Sequence, residues 1–253
     1  MSVKTILVSQ PKPETEKSPY FDLAEKYKLK IDFRPFINVE GVSSREFREQ
    51  KIDLASQTAV ILTSKTAVDH FFRIADETRF KVPDAMKYFC MSEAVAFYLQ
   101  KYVVYRKRKI FYGRQNIGDL VDVLKKHKTE RFLLPCSDIL RANIPDTLNE
   151  NNIAFSKLIL YRTVAADLSD LEDVKYDVLV FFSPSGIESL LKNFPGFKQN
   201  GTKIAAFGPT TANAVKQNNL RLDIHAPMPQ APSMTMAIEQ FIKDANKENG
   251  KKK

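Results

Sequence analysis

Hydroxyls and backbone amides gather where short apolar runs give way to helical patterns. The run Val178 to Phe182 stops at Ser183-Pro184-Ser185-Gly186, and Ile187, Leu190 and Leu191 then open a helical face. Ile204 to Phe207 stops in the same way at Gly208-Pro209-Thr210-Thr211, ahead of Ala212, Ala214 and Val215. A third unit, AVILTSKTAVDHFFRIA at 59–75, passes through Thr63-Ser64 into an amphipathic helix. A serine at such a junction can cap the helix, and the first amides of the helix have no partner within it. Turns of this kind suit anionic oxygens such as carboxylates or phosphates. Metal chemistry is not expected. His70, His127 and His225 are scattered, and neither they nor Cys90 and Cys136 show ligand spacing. The two cysteines lie in or beside apolar runs and read as buried, reduced thiols.

The elements that carry these turns read as a parallel α/β fold. Four- and five-residue apolar runs are too short for buried helices, and runs without alternation fit strands covered on both faces. In open sheets of this class ligands bind at the carboxyl ends of the strands. The chain begins with a strand at 4–8, stopped by Ser9-Gln10-Pro11. A helix follows through Tyr20, Leu23, Ala24 and Tyr27, then a second strand from Leu29. The unit at 59–75 aligns without gaps against the stretch opening at 175, setting Ser64-Lys65-Thr66 against Ser183-Pro184-Ser185. Met91-Ser92-Glu93-Ala94 is set against Pro209-Thr210-Thr211-Ala212 at nearly the same spacing. A duplicated α/β half-module follows. Pro135-Cys136-Ser137-Asp138 reads as a turn, 220–225 as a strand and 234–242 as the last helix. Completing both sheets requires one discontinuous domain, 1–35 plus 166–253, and a second at 43–156. Residues 36–42 and 157–165 are expected to join them as two antiparallel linker strands, a hinge with a cleft.

At 253 residues the chain has room for two such domains, and 43% hydrophobic with 27% charged residues is an ordinary globular mix. No apolar stretch approaches the ~20 residues of a membrane span, no membrane partner is expected, and the N-terminus shows no signal-peptide pattern. The cytoplasm is the expected compartment. The net charge of +9 is partly the tail KDANKENGKKK and partly Arg106-Lys107-Arg108-Lys109. That surplus favours an acidic partner, but no nucleic-acid motif accompanies it, so nucleic acid is not expected. Eight glycines, none in G-x-G-x-x-G, and no tryptophan argue against a dinucleotide or flavin module. A receiver-like signalling domain would need acidic residues where Ser9-Gln10 and Ser183-Pro184 stand.

Five stretches, taken together, resemble the uroporphyrinogen-III synthase family: ILVSQP at 6–11, LTSKTAVDHFF at 62–72, LYRTV at 160–164, VFFSPSGIESLL at 180–191 and AAFGPTTANAV at 205–215. The resemblance implies two flavodoxin-like parallel-sheet domains joined by a two-stranded linker, one domain being discontinuous. It implies a ring closure that needs no cofactor; a monomer is expected. The family's reaction expels the terminal hydroxyl of the linear tetrapyrrole hydroxymethylbilane as water. The ring then closes with the last pyrrole inverted, by way of a spiro intermediate. The substrate is a flexible polycarboxylate, so the protein's main task is to hold it folded. By the same resemblance Tyr161 is the cleft tyrosine that assists departure of the hydroxyl. Ser64, Lys65, Ser92, Ser183, Ser185, Thr210 and Thr211 bind substrate carboxylates from the turns. Arg141 pairs with a carboxylate, and Gln10 occupies the edge of the first strand.

Three positions depart from the family pattern. Gln10 stands where many members carry arginine, Ser137 replaces a glycine, and Met91-Ser92-Glu93 replaces a Gly-Pro-x turn. Glu93 would repel acetate and propionate arms if it faces them. These departures leave a second reading, a catalytically inactive relative that binds another anionic ligand or a protein.

Overall fold

The computed structural model describes residues 3–15, 17–140, 143–171 and 174–250. Along the chain, β1 (Thr5–Val8), α1 (Pro19–Tyr27) and β2 (Lys30–Phe33) precede β3 (Ile37–Gly41) and α2 (Ser44–Glu49). Next come β4 (Ala59–Leu62), α3 (Lys65–Glu77), β5 (Lys87–Cys90), α4 (Glu93–Leu99) and β6 (Ile110–Tyr112). They are followed by α5 (Val121–Lys126), β7 (Phe132–Ser137), α6 (Asn143–Glu150) and β8 (Phe155–Ala165). The chain closes with β9 (Val178–Phe181), α7 (Pro184–Asn193), β10 (Lys203–Phe207), α8 (Pro209–Gln217), β11 (Ile224–Ala226) and α9 (Met234–Gly250).

Two compact units result, one of Met1–Asn38 with Val164–Lys253 and one of Val39–Thr163. In the first, five strands run in the order β11-β10-β9-β1-β2, and every pairing is parallel. Numbered within the unit, this is the 2-1-3-4-5 order of flavodoxin-like sheets. In the second the order is β3-β8-β7-β4-β5-β6. Setting β3 aside, the two sheets match strand for strand: β9 with β4, β10 with β5, β11 with β6, β1 with β7 and β2 with β8. The duplication expected from the half-modules therefore extends to whole sheets. The first sheet takes its β1 and β2 from the N-terminus, whereas the second takes their counterparts from further along the chain.

Strand burial follows the two-residue period. In the first unit Ile6, Val8, Val178 and Val180 pack on one face with Ile238 and Ile242 of α9. Leu7, Leu179 and Phe181 pack on the other with Ile187, Leu190 and Val215 of α7 and α8. In the second unit Val60, Leu62 and Leu133 meet Phe71 and Ile74 of α3, while Ala59, Ile61 and Leu134 meet Leu124 and Leu148 of α5 and α6. Helices cover both faces, so both residue parities are apolar and the runs show no alternation.

Several boundaries differ from the sequence-based expectation. β7 continues through Pro135 and Cys136 to Ser137 instead of turning at Pro135. Its pairing with β4 ends at Leu133, so Pro135 has no ladder bond to lose on that side. β11 is shorter than 220–225 and begins at Ile224, while α9 runs past Ile242 to Gly250. Residues 157–161, assigned from sequence to a linker, are hydrogen-bonded into the second sheet, parallel to β7. On its other edge β8 runs antiparallel to β3: Val42 N–H donates to Leu160 O at 2.9 Å and Ala166 N–H to Phe36 O at 2.9 Å. The half-module register also shifts. Ser92 caps α4 and Gly208 occupies the same place before α8, so Ser92 corresponds to Gly208 and not to Thr210.

Candidate active site

The carboxyl ends of the second unit's strands surround a cavity of about 660 Å³. Ser64, Ser92 and Arg114 arrive by the same route, each the second residue past the end of a strand. Ser64 follows β4 and caps α3, its Oγ accepting from the Ala67 amide at 3.0 Å. Ser92 follows β5 and caps α4, accepting from the Val95 amide at 3.4 Å. A capping hydroxyl spends a lone pair and keeps its O–H for a ligand, so capping and binding are compatible. Arg114 and Gln115 follow β6 on a turn held by Asp119, whose Oδ2 accepts from three successive amides, Arg114, Gln115 and Asn116, at 3.1–3.2 Å. Ser137 ends β7, and Tyr161 lies on β8.

Tyr161 is held on several sides. A register shift between Cys136 and Ser137 brings Ser137 opposite Tyr161. Asp138 N–H donates to Tyr161 O at 3.1 Å, and the Asp138 carboxylate accepts from Thr163 N–H at 3.3 Å and from Ser137 Oγ at 2.7 Å. The ring is stacked on His70 with centroids 5.0 Å apart and planes 20° from parallel. His70 Nδ1 accepts from Arg73 Nε at 3.1 Å, which places the imidazole proton on Nε2. Arg73 is anchored in turn to Val42 O at 2.8 Å and to the Glu77 carboxylate. The phenol lies 3.5 Å from Ser64 Oγ, and Tyr161 is only 9% exposed. Burial raises its pKa; the Ser64 hydrogen bond lowers it and Cys136 raises it further, each less strongly than burial. The phenol is therefore protonated at neutral pH, as a proton donor must be. Burial, with the neighbouring Arg73 charge, lowers the His70 pKa, so the stacked ring is neutral there too.

Charge in the cavity is mixed. Glu93 lines the wall and is exposed, accepting from Tyr112 Oη at 3.4 Å. Among the described residues the Arg114 guanidinium has no hydrogen bond or ion pair. Ser64, Ser92 and Tyr161 are thus brought together. Lys65 lies outside the cavity with its Nζ over the Tyr98 ring, 5.4 Å from the centroid. Arg141 lies outside the described residues.

In the first unit the remaining candidates share the carboxyl edge of three adjacent strands, β1, β9 and β10. Gln10 is exposed beyond β1. Ser183 caps α7, accepting from the Gly186 amide at 3.3 Å, and Ser185 is half-buried in the first turn. Gly208 precedes α8 with φ +84°, a conformation that favours glycine. Thr210 is exposed. Thr211 is 1% exposed, and its hydroxyl has no partner among the described residues.

Sequence reasoning missed Arg114, Gln115 and His70. The first two follow β6, and applying the strand-end rule to the short apolar run Ile110–Tyr112 finds them. His70 carried no signal, because only the fold stacks it on Tyr161. Among the described residues no cluster of three or more His, Cys, Asp or Glu is placed to hold a metal. Burial pushes the Cys90 and Cys136 thiols up to about 12 and about 11, which leaves them unreactive.

A family model described as uroporphyrinogen-III synthase HemD matches residues 19–236. The chain belongs to the uroporphyrinogen-III synthase family. Uroporphyrinogen-III synthase of Chlorobaculum parvum is 24% identical over 261 residues, covering 95% of this chain and 100% of that protein. That of Schizosaccharomyces pombe is 25% identical over 252 residues, covering 94% and 98%. The crystal structure of uroporphyrinogen-III synthetase from Helicobacter pylori superposes with a TM-score of 0.61 at 17% identity, covering 95% of this chain and 99% of that one. Membership makes the chain an enzyme of the lyase type in tetrapyrrole biosynthesis, with the two-domain α/β architecture of the family. No helix among the described residues is long and apolar enough to cross a membrane.

Proposed function

We propose that this chain closes hydroxymethylbilane to uroporphyrinogen III, with the cavity at Tyr161 as the reacting site. The observation that carries the proposal is a protonated, buried phenol, fixed by its stacking on His70 and set among capping serines at the strand ends. The C–O bond to the terminal hydroxyl breaks as Tyr161 donates its proton, and the hydroxyl leaves as water. The pyrrole nitrogen lone pair stabilises the resulting electrophile. The substituted carbon of the last ring attacks that electrophile to give the spiro intermediate, which reopens and recloses with the ring inverted. Reclosure at the free α-carbon of that ring releases the carbon's proton, which balances the one Tyr161 gave up and restores the phenol.

Positioning supplies most of the effect. Ser64 and Ser92 donate O–H groups to substrate carboxylates, and Arg114 offers a charge-assisted pair that offsets Glu93. Ser183, Ser185, Thr210 and Gln10 form a separate set of hydroxyl and amide groups at the strand ends of the first unit, suited to carboxylates in their own right. The reaction takes place within a monomer in the cytoplasm and requires no cofactor.

Isomer analysis of the product tests this. Wild type should yield mostly type III. Tyr161→Phe should lower kcat roughly 10- to 100-fold, at or below the lower end for a general acid because the pyrrole itself assists departure, while product that does form remains enriched in type III. Wild type giving only the spontaneous type I ring would remove the catalytic reading and leave that of an anion-binding relative.

A further inference from the structure

A second hollow, of about 400 Å³, lies at the opposite strand ends of the second unit, beside the starts of β5 and β6. Val82, Met86, Val103 and Ile110 make its aliphatic side, and Phe72 and Tyr102 line it as stacked rings 4.4 Å apart. Arg106, Lys109 and Asp84 also line it, Lys109 Nζ donating to the Asp84 carbonyl. The α4–β6 connection that forms this wall is unusual on the surface. Val104 is 79% exposed and Tyr102 41% exposed, and they lead directly into Arg106-Lys107-Arg108-Lys109. Among the described residues the side chains of Arg106, Lys107 and Arg108 make no hydrogen bond or ion pair. No acidic residue occurs between Lys101 and Lys109. Ring closure uses none of these groups.

We infer that the α4–β6 connection is a docking surface for an anionic lipid membrane, the cations meeting the headgroups and Val104 entering the apolar boundary above the hollow. Charge complementarity selects an anionic partner, and unpaired cations beside an exposed aliphatic side chain are the signature of interfacial binding. A single-stranded nucleic acid would use the cations and Tyr102, but it has no use for an aliphatic hollow. The attachment is peripheral and reversible and needs no membrane-spanning helix, of which there is none among the described residues.

Vesicle flotation of the full chain tests the inference. Vesicles of phosphatidylcholine with about a quarter phosphatidylserine are compared with phosphatidylcholine alone. Wild type should float with the anionic vesicles only, and less so as salt rises. The triple variant Arg106→Glu, Lys107→Glu, Arg108→Glu should weaken binding at least tenfold. Val104→Asp should also weaken it, by roughly fivefold or more, with both variants retaining wild-type type III synthesis as a check on folding. Loss of flotation in the charge variant with none in Val104→Asp would overturn insertion. No flotation of wild type, or preference for an oligouridylate over the vesicles, would overturn the membrane assignment altogether.

Discussion

Glu93 and Arg114 share the cavity with Tyr161, and their opposite charges should act oppositely on a polycarboxylate. Arg114→Gln should raise KM about tenfold, the loss of one exposed charge-assisted contact worth about 1.4 kcal/mol. Glu93→Gln should lower KM, and neither variant should change kcat as Tyr161→Phe does. Steady-state kinetics on the three variants separates binding from chemistry. Because burial raises the Tyr161 pKa above the ordinary 10.0, the wild type-to-Tyr161→Phe rate ratio should stay constant from neutrality to about pH 9. A ratio that falls across that range would mean the phenol ionises early and is not the donor. Thr211 poses a different question at the same scale. Its buried hydroxyl has no partner among the described residues, so Thr211→Val should raise stability by about 1 kcal/mol in denaturant titration.

Helix caps carry the element-scale argument. Ser64 and Ser183 cap α3 and α7 through equivalent bonds, but only Ser64 also reaches Tyr161. Ser64→Ala and Ser183→Ala should each cost about 1 kcal/mol of stability, whereas only Ser64→Ala should alter the pH dependence assigned to the phenol. The turns were legible because serine at a strand end followed by a helical period has one economical explanation. Pro135 was misread for a related reason. Proline normally stops a strand, but β7 has already left β4 by that residue, a fact visible only in the pairing. The shift of the half-module register from Thr210 to Gly208 has the same origin. Glycine at φ +84° replaces a side-chain cap, and no residue-by-residue similarity signals that.

Acid stability belongs to the whole molecule, because each unit contains a carboxylate held well below its ordinary range. Glu46, held by the Ser43 amide and Arg162, is lowered to about 2, and Glu239 is lowered to about 2 by Lys26, Lys243 and Tyr27. A depressed folded-state pKa contributes stability above the unfolded value, near 4.5, and loses it as pH falls toward 2. Thermal melts from pH 6 to pH 2 should therefore show Tm falling below about pH 4.5. Glu46→Gln should melt lower than wild type at pH 6 and converge with it at pH 2. Arg162 neighbours Tyr161, so the Glu46 contact also braces the strand that carries the phenol.

The chain's own order of residues determined the strand-turn-helix units, the capping serines, the parallel class and the matching of two half-modules, since all are local or periodic and follow from burial on both faces of a sheet. Tertiary structure alone decided that residues 157–161 pair with β7, that His70 stacks on Tyr161, and that Arg114 and Glu93 line one wall. Those relations join residues distant in sequence, and a chain carries no local mark of what packing will place beside it.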